Sequence, residues 1–303
     1  VALEDIAAAH YNAQQQIVRT TAEQAQALWR EVQPSAAIQQ WMALLANIVE
    51  LLVSGQLAAA RLAMPYLRAT AREQGVSRLS GVVVPEAFAG VAADGRDLTR
   101  LLMQPALKTA GLLVRGADDQ DALRSGLASL MRIVTTEIPD AGRAAVGAGI
   151  VANRKFVTYV RMLKLPSCGR CIVLAGRQYA WSQGFLRHPN CDCYHLPVVH
   201  DGTGDLPGES PKQVFAGLTR EQQDQAFGRD AAEAIRAGGD IGQVVNARRG
   251  VYTAGGQEFT TSSTTRRGRA KGMQRPTAEQ IMRSHRDNRT AAIEQLRRYG
   301  YIT

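Results

Sequence analysis

All four cysteines of the chain lie between positions 168 and 193. Cys168-Gly169-Arg170-Cys171 has the C-x2-C spacing that lets one turn aim two thiolates at a single metal ion, and His188-Pro189-Asn190-Cys191-Asp192-Cys193 offers three further ligands. Cys168, Cys171, His188, Cys191 and Cys193 are therefore five candidates for the four positions of a tetrahedral zinc site. Pro166 stops what precedes it, Gly169 can bend, and Pro189 forces an extended entry into the second cluster, so both clusters read as knuckles. The chemistry is that of a closed structural zinc, which fixes a fold and leaves no position open for a reaction.

Other readings compete with zinc. A redox C-x-x-C calls for a strand before it and a helix directly after, whereas the segment ahead of Cys168 has a helical pattern and the second cluster would have no role. A disulfide between the clusters needs an oxidising compartment, and no signal peptide is visible. Reduced, packed cysteines are a third alternative. There is no Walker A string, no G-x-S-x-G and no H-E-x-x-H. A nucleophile built from Cys168 or Cys171 with His188 or His195 needs a third group to hold the base, and the neighbouring cysteines are better explained as co-ligands. A zinc deaminase would need H-x-E with P-C-x-x-C, but Ser167 separates Pro166 from Cys168 and no H-x-E occurs. Gly147-Ala148-Gly149, with no strand before it, is a weak nucleotide loop.

The elements that must position these residues follow from local pattern. The Ala117-Asp118-Asp119-Gln120 turn is expected to cap a helix that carries Leu123, Leu127, Leu130, Met131 and Val134 on one face and ends at Pro139; a second helix is expected over 141–165 and delivers the first knuckle. Ile172–Leu174 is expected as a strand, Ala175–Arg177 as a hairpin turn, Gln178–Trp181 as its return and Tyr194–Val198 as a short edge strand. Three short strands make a marginal sheet, and a metal joining their ends would offset that. His195 and His200 are left outside the metal set, because His195 is expected to face the other side of its strand.

The run from Cys168 through Leu174-Ala175-Gly176-Arg177-Gln178-Tyr179, then Gly184-Phe185 and His188-Pro189-Asn190-Cys191-Asp192-Cys193, then Leu196-Pro197-Val198, resembles the MuF-like minor head proteins of tailed phages, the phage Mu head-morphogenesis type. Their pattern is C-x2-C, an L-x-G-x-x-Y hairpin, and H-P-N-C-x-C before a short apolar strand; it departs here at Asp192, where the family often has arginine. The likeness covers roughly residues 140 to 200, with the motif itself confined to 168–198. Val245-Asn246-Ala247-Arg248-Arg249-Gly250 and Arg297-Arg298-Tyr299-Gly300-Tyr301-Ile302 are similar to minor capsid proteins of actinobacterial phages. The resemblance implies a structural, low-copy virion protein at the portal and head interior, assembled in the host cytoplasm. Its partners would be the portal protein, a major capsid or scaffold protein, and double-stranded DNA. It leaves one alternative, a capsid maturation protease; the charge of the C-terminal tail favours another, a DNA-binding protein delivered with the genome.

The rest of the chain reads as mainly α with a small α+β module. Hydrophobic residues make up 45% of the sequence, enough for a sizeable core, and aromatics only 6%, so helices are expected to pack through small residues. An amphipathic helix is expected over 1–31, with His10 half-buried on it, ending before Pro34; a second begins near Ser35 and continues towards Gly75, and helical pattern resumes at Leu98. Residues 41–60 carry Asn47, Glu50 and Gln56 and are expected as a buried core helix, not a membrane span. These pieces give an N-terminal helical domain over 1–116, a zinc-stapled hairpin and knuckle module over 117–200, and a linker, helix and basic C-terminal arm over 201–303.

Charge is unevenly placed. Residues 241–303 hold twelve Lys or Arg against four Asp or Glu, which is +8 of the chain's +9. Thr260–Lys271 has almost no apolar residue and should not fold alone, so the arm is expected to be partly extended. Arg248, Arg249, Arg266, Arg267, Arg269 and Lys271 are its candidate contacts with a phosphate backbone; a solvated linker or contact with an acidic protein surface are the other readings. Thr219 is expected to cap one helix ending at Gly238-Gly239, and Pro276-Thr277-Ala278-Glu279-Gln280 to open a final one.

Overall fold

The computed structural model describes residues 2–184, 192–199, 208–265 and 267–302. Two compact units divide the chain: Val1–Met162 with Gln178–Pro207, and Leu163–Arg177 with Gly208–Thr303.

The first unit is mainly helical. α1 (Leu3–Trp29) carries Glu4 and Asp5 in its first turn, where carboxylates complement the positive helix end. α2 (Ala37–Arg61) and α3 (Ala63–Glu73) follow Pro34, and α3 closes on Gly75, whose φ of +81° lets the Val76 amide return 2.9 Å to the Ala71 carbonyl. By length and hydropathy alone Pro34–Glu73 suffices to cross a membrane, so its polar residues do not by themselves exclude a span. One face of α2 is nevertheless core: Trp41, Ile48, Leu52 and Ala59 are fully buried among residues of α1 and α6. α4 (Leu98–Leu102) and α5 (Gln104–Val114) complete the helices expected over 1–116.

α6 (Asp119–Ala152) begins as expected, with the Asp118 side chain accepting from the Gln120 and Asp121 amides. The expected stop at Pro139 is absent, and α6 runs through it as one helix of 34 residues. An interior proline costs about 3 kcal/mol, but Val134, Ile138, Ala145 and Val146 on either side of it are buried, and each large apolar side chain so removed from water returns about 1.5–3 kcal/mol. α6 packs along α1, α2 and α5, so the boundary expected at 116/117 falls inside this unit. Small residues permit the closeness: a Cβ added at Gly126 would lie 2.4 Å from Trp29, and one at Gly149 2.2 Å from Leu67.

A three-stranded antiparallel sheet completes the unit, with β1 (Thr158–Met162) between β2 (Gln178–Ala180) and β3 (Tyr194–Val198). The second and third are the limbs expected from sequence. The first replaces the end of the helix expected over 141–165: Val157–Val160 is β-branched and aromatic, and Tyr159 pairs with both Tyr179 and Pro197 across the ladder. Tyr66 of α3 and Gln74 at its C-cap donate to the carbonyls of His195 and Pro197, at 2.7 and 3.0 Å, and so fix the sheet to the helices.

The second unit departs furthest from expectation. Residues 172–174 are no strand; α7 (Gly169–Ile172) closes there instead, because the amides of Cys171 and Ile172 both return to the Cys168 carbonyl. α8 (Pro211–Gly217), α9 (Arg220–Phe227) and α10 (Arg229–Arg236) follow, with Gly228 at φ +79° dividing what reads as one helix. Thr219 caps α9 as expected, and Gln222 completes a capping box with it. α11 (Ile241–Asn246) leads into a hairpin of β4 (Val251–Ala254) and β5 (Gln257–Thr260), and β6 (Arg275–Pro276) pairs with β5. α12 (Ala278–Ser284), capped by Thr277, and α13 (Arg289–Arg298) end the chain where one helix was expected.

The basic arm is therefore folded, not extended. Phe215, Phe227, Ile235, Val244, Ile281, Leu296 and Tyr301 share one buried cluster. The apolar-poor loop that follows β5 is tied to it by Arg275, which donates to the carbonyls of Ser262 and Tyr299, each at 3.0 Å. The linker expected at 201–211 lies largely outside the described residues.

Candidate metal centre and basic surfaces

Cys168 and Cys171 occupy the opening turn of α7. Cys168 is its N-cap and is exposed; Cys171, one turn on, is buried, and its amide donates 2.9 Å to the Cys168 carbonyl. This turn belongs to the second unit, whereas Cys193 is buried beside β3 in the first. His188 and Cys191 lie outside the described residues, and among the described residues no three His, Cys, Asp or Glu are grouped to hold a metal ion.

The surroundings of Cys193 are polar in a way the sequence does not announce. Arg161, 2% exposed on β1, donates to the Cys193 sulfur at 3.2 Å. Arg143 of α6, also buried, donates to the Cys193 carbonyl at 3.4 Å and pairs with Asp140 at 2.8 Å. A guanidinium against sulfur favours the thiolate, which is the form a metal ligand takes, so the donor chemistry at this position fits zinc. Asp192 accepts a hydrogen bond from Tyr11 of α1; burial, then this carboxylate, push the Tyr11 hydroxyl up to about 12. The departure from the motif at Asp192 is thus a tie between the knuckle and α1. Apart from the i,i+3 pair Asp140–Arg143, each of these contacts joins residues far apart in sequence, so no periodicity or spacing marks it.

The two histidines read as structural have structural surroundings. His10 is buried and stacked on Tyr66, with ring centroids 4.1 Å apart, and burial lowers it to about 4. His195 sits edge-on to Tyr159 at 4.7 Å.

The basic candidates divide. Arg248 is engaged within its unit, pairing with Glu279 at 2.9 Å and donating to the Phe227 carbonyl. Arg249, Arg267, Arg269 and Lys271 are exposed, and Arg266 lies outside the described residues. The loop carrying them is pinned by the fully buried Ala270, whose amide donates 3.0 Å to the Ser263 carbonyl, while its charged neighbours point to solvent. Counted by unit, the asymmetry sharpens. The second unit has nineteen Lys and Arg against ten Asp and Glu, a net of +9, and the first, with seventeen of each, is neutral. The neutral unit carries an apolar groove of about 610 Å3 lined by Ile38, Met42, Leu113 and Val114.

A family model described as VG15 protein matches residues 3–240. No curated protein and no solved structure matches the chain.

Proposed function

The chain belongs to the VG15 protein family, which is viral and phage-associated, and from that premise we propose that it is a structural minor head protein of the MuF-like type in a tailed phage. In this reading it sits in few copies at the portal and head interior and acts in head assembly, with the portal protein and a major capsid or scaffold protein as partners. The observation that carries it is how the motif residues are used. Cys193 is held by Arg161 and Arg143, Asp192 is tied to Tyr11, and Cys168 and Cys171 frame a tight turn. Those contacts build a fold. A structural zinc drawn from Cys168, Cys171, His188, Cys191 and Cys193 belongs to the same reading. The neutral unit, with an apolar groove at its surface, suits protein contacts. The basic unit suits packaged DNA, with Arg249, Arg267, Arg269 and Lys271 exposed towards it.

The test is quantitative mass spectrometry of mature particles and of empty precursor heads. Retention at low copy in both, with the major head protein processed normally when Cys168 and Cys171 are replaced by serine, supports the structural role. Presence in precursors, loss from mature particles, and uncleaved head protein in its absence would establish a maturation protease instead.

A further inference from the structure

The helices of the second unit enclose a cleft of about 470 Å3 lined by Arg220, Arg229, Arg236, Arg286 and Arg289, with Asp230 and Glu233. These arginines come from three helices and a turn, spread over seventy positions, so no basic string marks them in the sequence. Five cations face two carboxylates. Glu233 takes up Arg220 and Arg236, Asp224 pairs with Arg236 at 2.8 Å from outside the cleft lining, and Asp230 lies 3.8 Å from Arg286. Arg229 and Arg289 have no acidic partner among the described residues, and the Nε–H of Arg236 is buried without an acceptor. The placement runs against helix stability: Arg220, Arg229 and Arg289 are the first residues of α9, α10 and α13, where the helix end is already positive and a cation is disfavoured. Three such departures lining one cleft point to a ligand that repays them.

We propose that this cleft binds phosphate groups of a double-stranded DNA backbone. Arginine forks match phosphate oxygens in pairs, and a duplex presents its charge as an extended array suited to a unit whose net charge is +9. Single-stranded nucleic acid is bound through stacked aromatic rings, and the residues lining this cleft include none from Phe, Tyr or Trp. The site is separate from the loop bearing Arg267, Arg269 and Lys271. It rests on the phage-head reading only for where such DNA is met.

The experiment measures binding of a duplex oligonucleotide to the full chain over a salt series. Arg229→Ala with Arg289→Ala weakens binding about tenfold and lowers the slope of log affinity against log salt by about two, one per lost phosphate contact. Arg229→Lys with Arg289→Lys keeps most of the slope. On the unsubstituted chain, bound duplex shields Arg229 and Arg289 from phenylglyoxal, read by peptide mass spectrometry. Unchanged affinity and slope in the alanine pair, with the whole effect falling on Arg267→Ala, Arg269→Ala and Lys271→Ala, overturns the proposal. So does unchanged phenylglyoxal labelling, or shielding by polyglutamate but not by duplex, which would mark an acidic protein segment as the ligand. Absence of the chain from particles would remove the head reading and leave this one standing.

Discussion

The guanidinium of Arg275 lies 3.9 Å over the ring of Tyr301, and both side chains are fully buried. The arginine also reaches Ser262, Tyr299 and Gln243, while the Tyr301 hydroxyl donates 2.8 Å to the Pro276 carbonyl. This pair joins the basic loop to the end of the chain. Arg275→Leu leaves three acceptors without their donor and is expected to destabilise the second unit by about 3 kcal/mol. Tyr301→Phe keeps the stacking and loses one hydrogen bond, at about 1 kcal/mol. Calorimetric unfolding of the full chain reads both. A transition unmoved by Arg275→Leu would show that the loop is held by other contacts.

Two glycines of α6 separate packing from helix propensity. A Cβ at Gly126 would meet the Trp29 ring and the Thr109 hydroxyl, whereas nothing lies within 4 Å of one at Gly147. Gly126→Ala is expected to cost about 1–3 kcal/mol through overpacking. Gly147→Ala is expected to stabilise by about 0.5–1 kcal/mol, the helix-propensity difference. Opposite shifts in melting temperature confirm the close approach of α6 to α1; equal shifts would contradict it.

What was legible in the sequence was local. Helix starts at Asp118, Thr219 and Thr277 follow from side chains that cap amides two or three residues on, and the apolar periodicity of α1 and α2 lies within each segment. What was not legible depends on partners far along the chain. β1 is a strand because β2 and β3 flank it, Pro139 stays helical because the faces around it are buried, and the loop carrying Arg267 and Arg269 is ordered by Arg275. The candidate site divides in the same way. The C-x2-C turn is visible as a spacing, but Arg161 beside Cys193 and the arginines gathered at the cleft are products of tertiary structure.

His10 gives the fold a pH dependence with a definite sign. Its folded value is lowered by burial from 6.5 to about 4, so between those values the unfolded state binds more protons and stability rises with pH. The contribution is complete above the unfolded value, is lost as pH falls from about 6.5 towards about 4, and amounts to about 3 kcal/mol at most. His10→Phe keeps an aromatic ring against Tyr66 and removes the titration. Unfolding free energy measured from pH 4 to 7 should therefore fall less steeply in that variant. Identical slopes would mean that His10 binds protons alike in the folded and unfolded states, so that burial does not lower it.

Zinc thiolate ligands must be deprotonated, and metal binding that accompanies folding contributes to folding free energy. Protein purified without added chelator is expected to carry about one zinc per chain by plasma mass spectrometry, and chelation to lower the melting temperature by more than about 5 °C. Cys168→Ser with Cys171→Ser should abolish the zinc. His195→Ala should retain it, because that ring packs on Tyr159 and lies outside the candidate set. Arg161→Met tests the neighbour of Cys193: loss of the guanidinium removes the charge favouring the thiolate, and zinc affinity should drop by roughly ten- to a hundredfold, as when an outer partner of a ligand is lost. A folded chain that carries no zinc and does not respond to chelator would leave the cysteines as packing residues, with Arg161 and Arg143 among the groups that hold Cys193 in place.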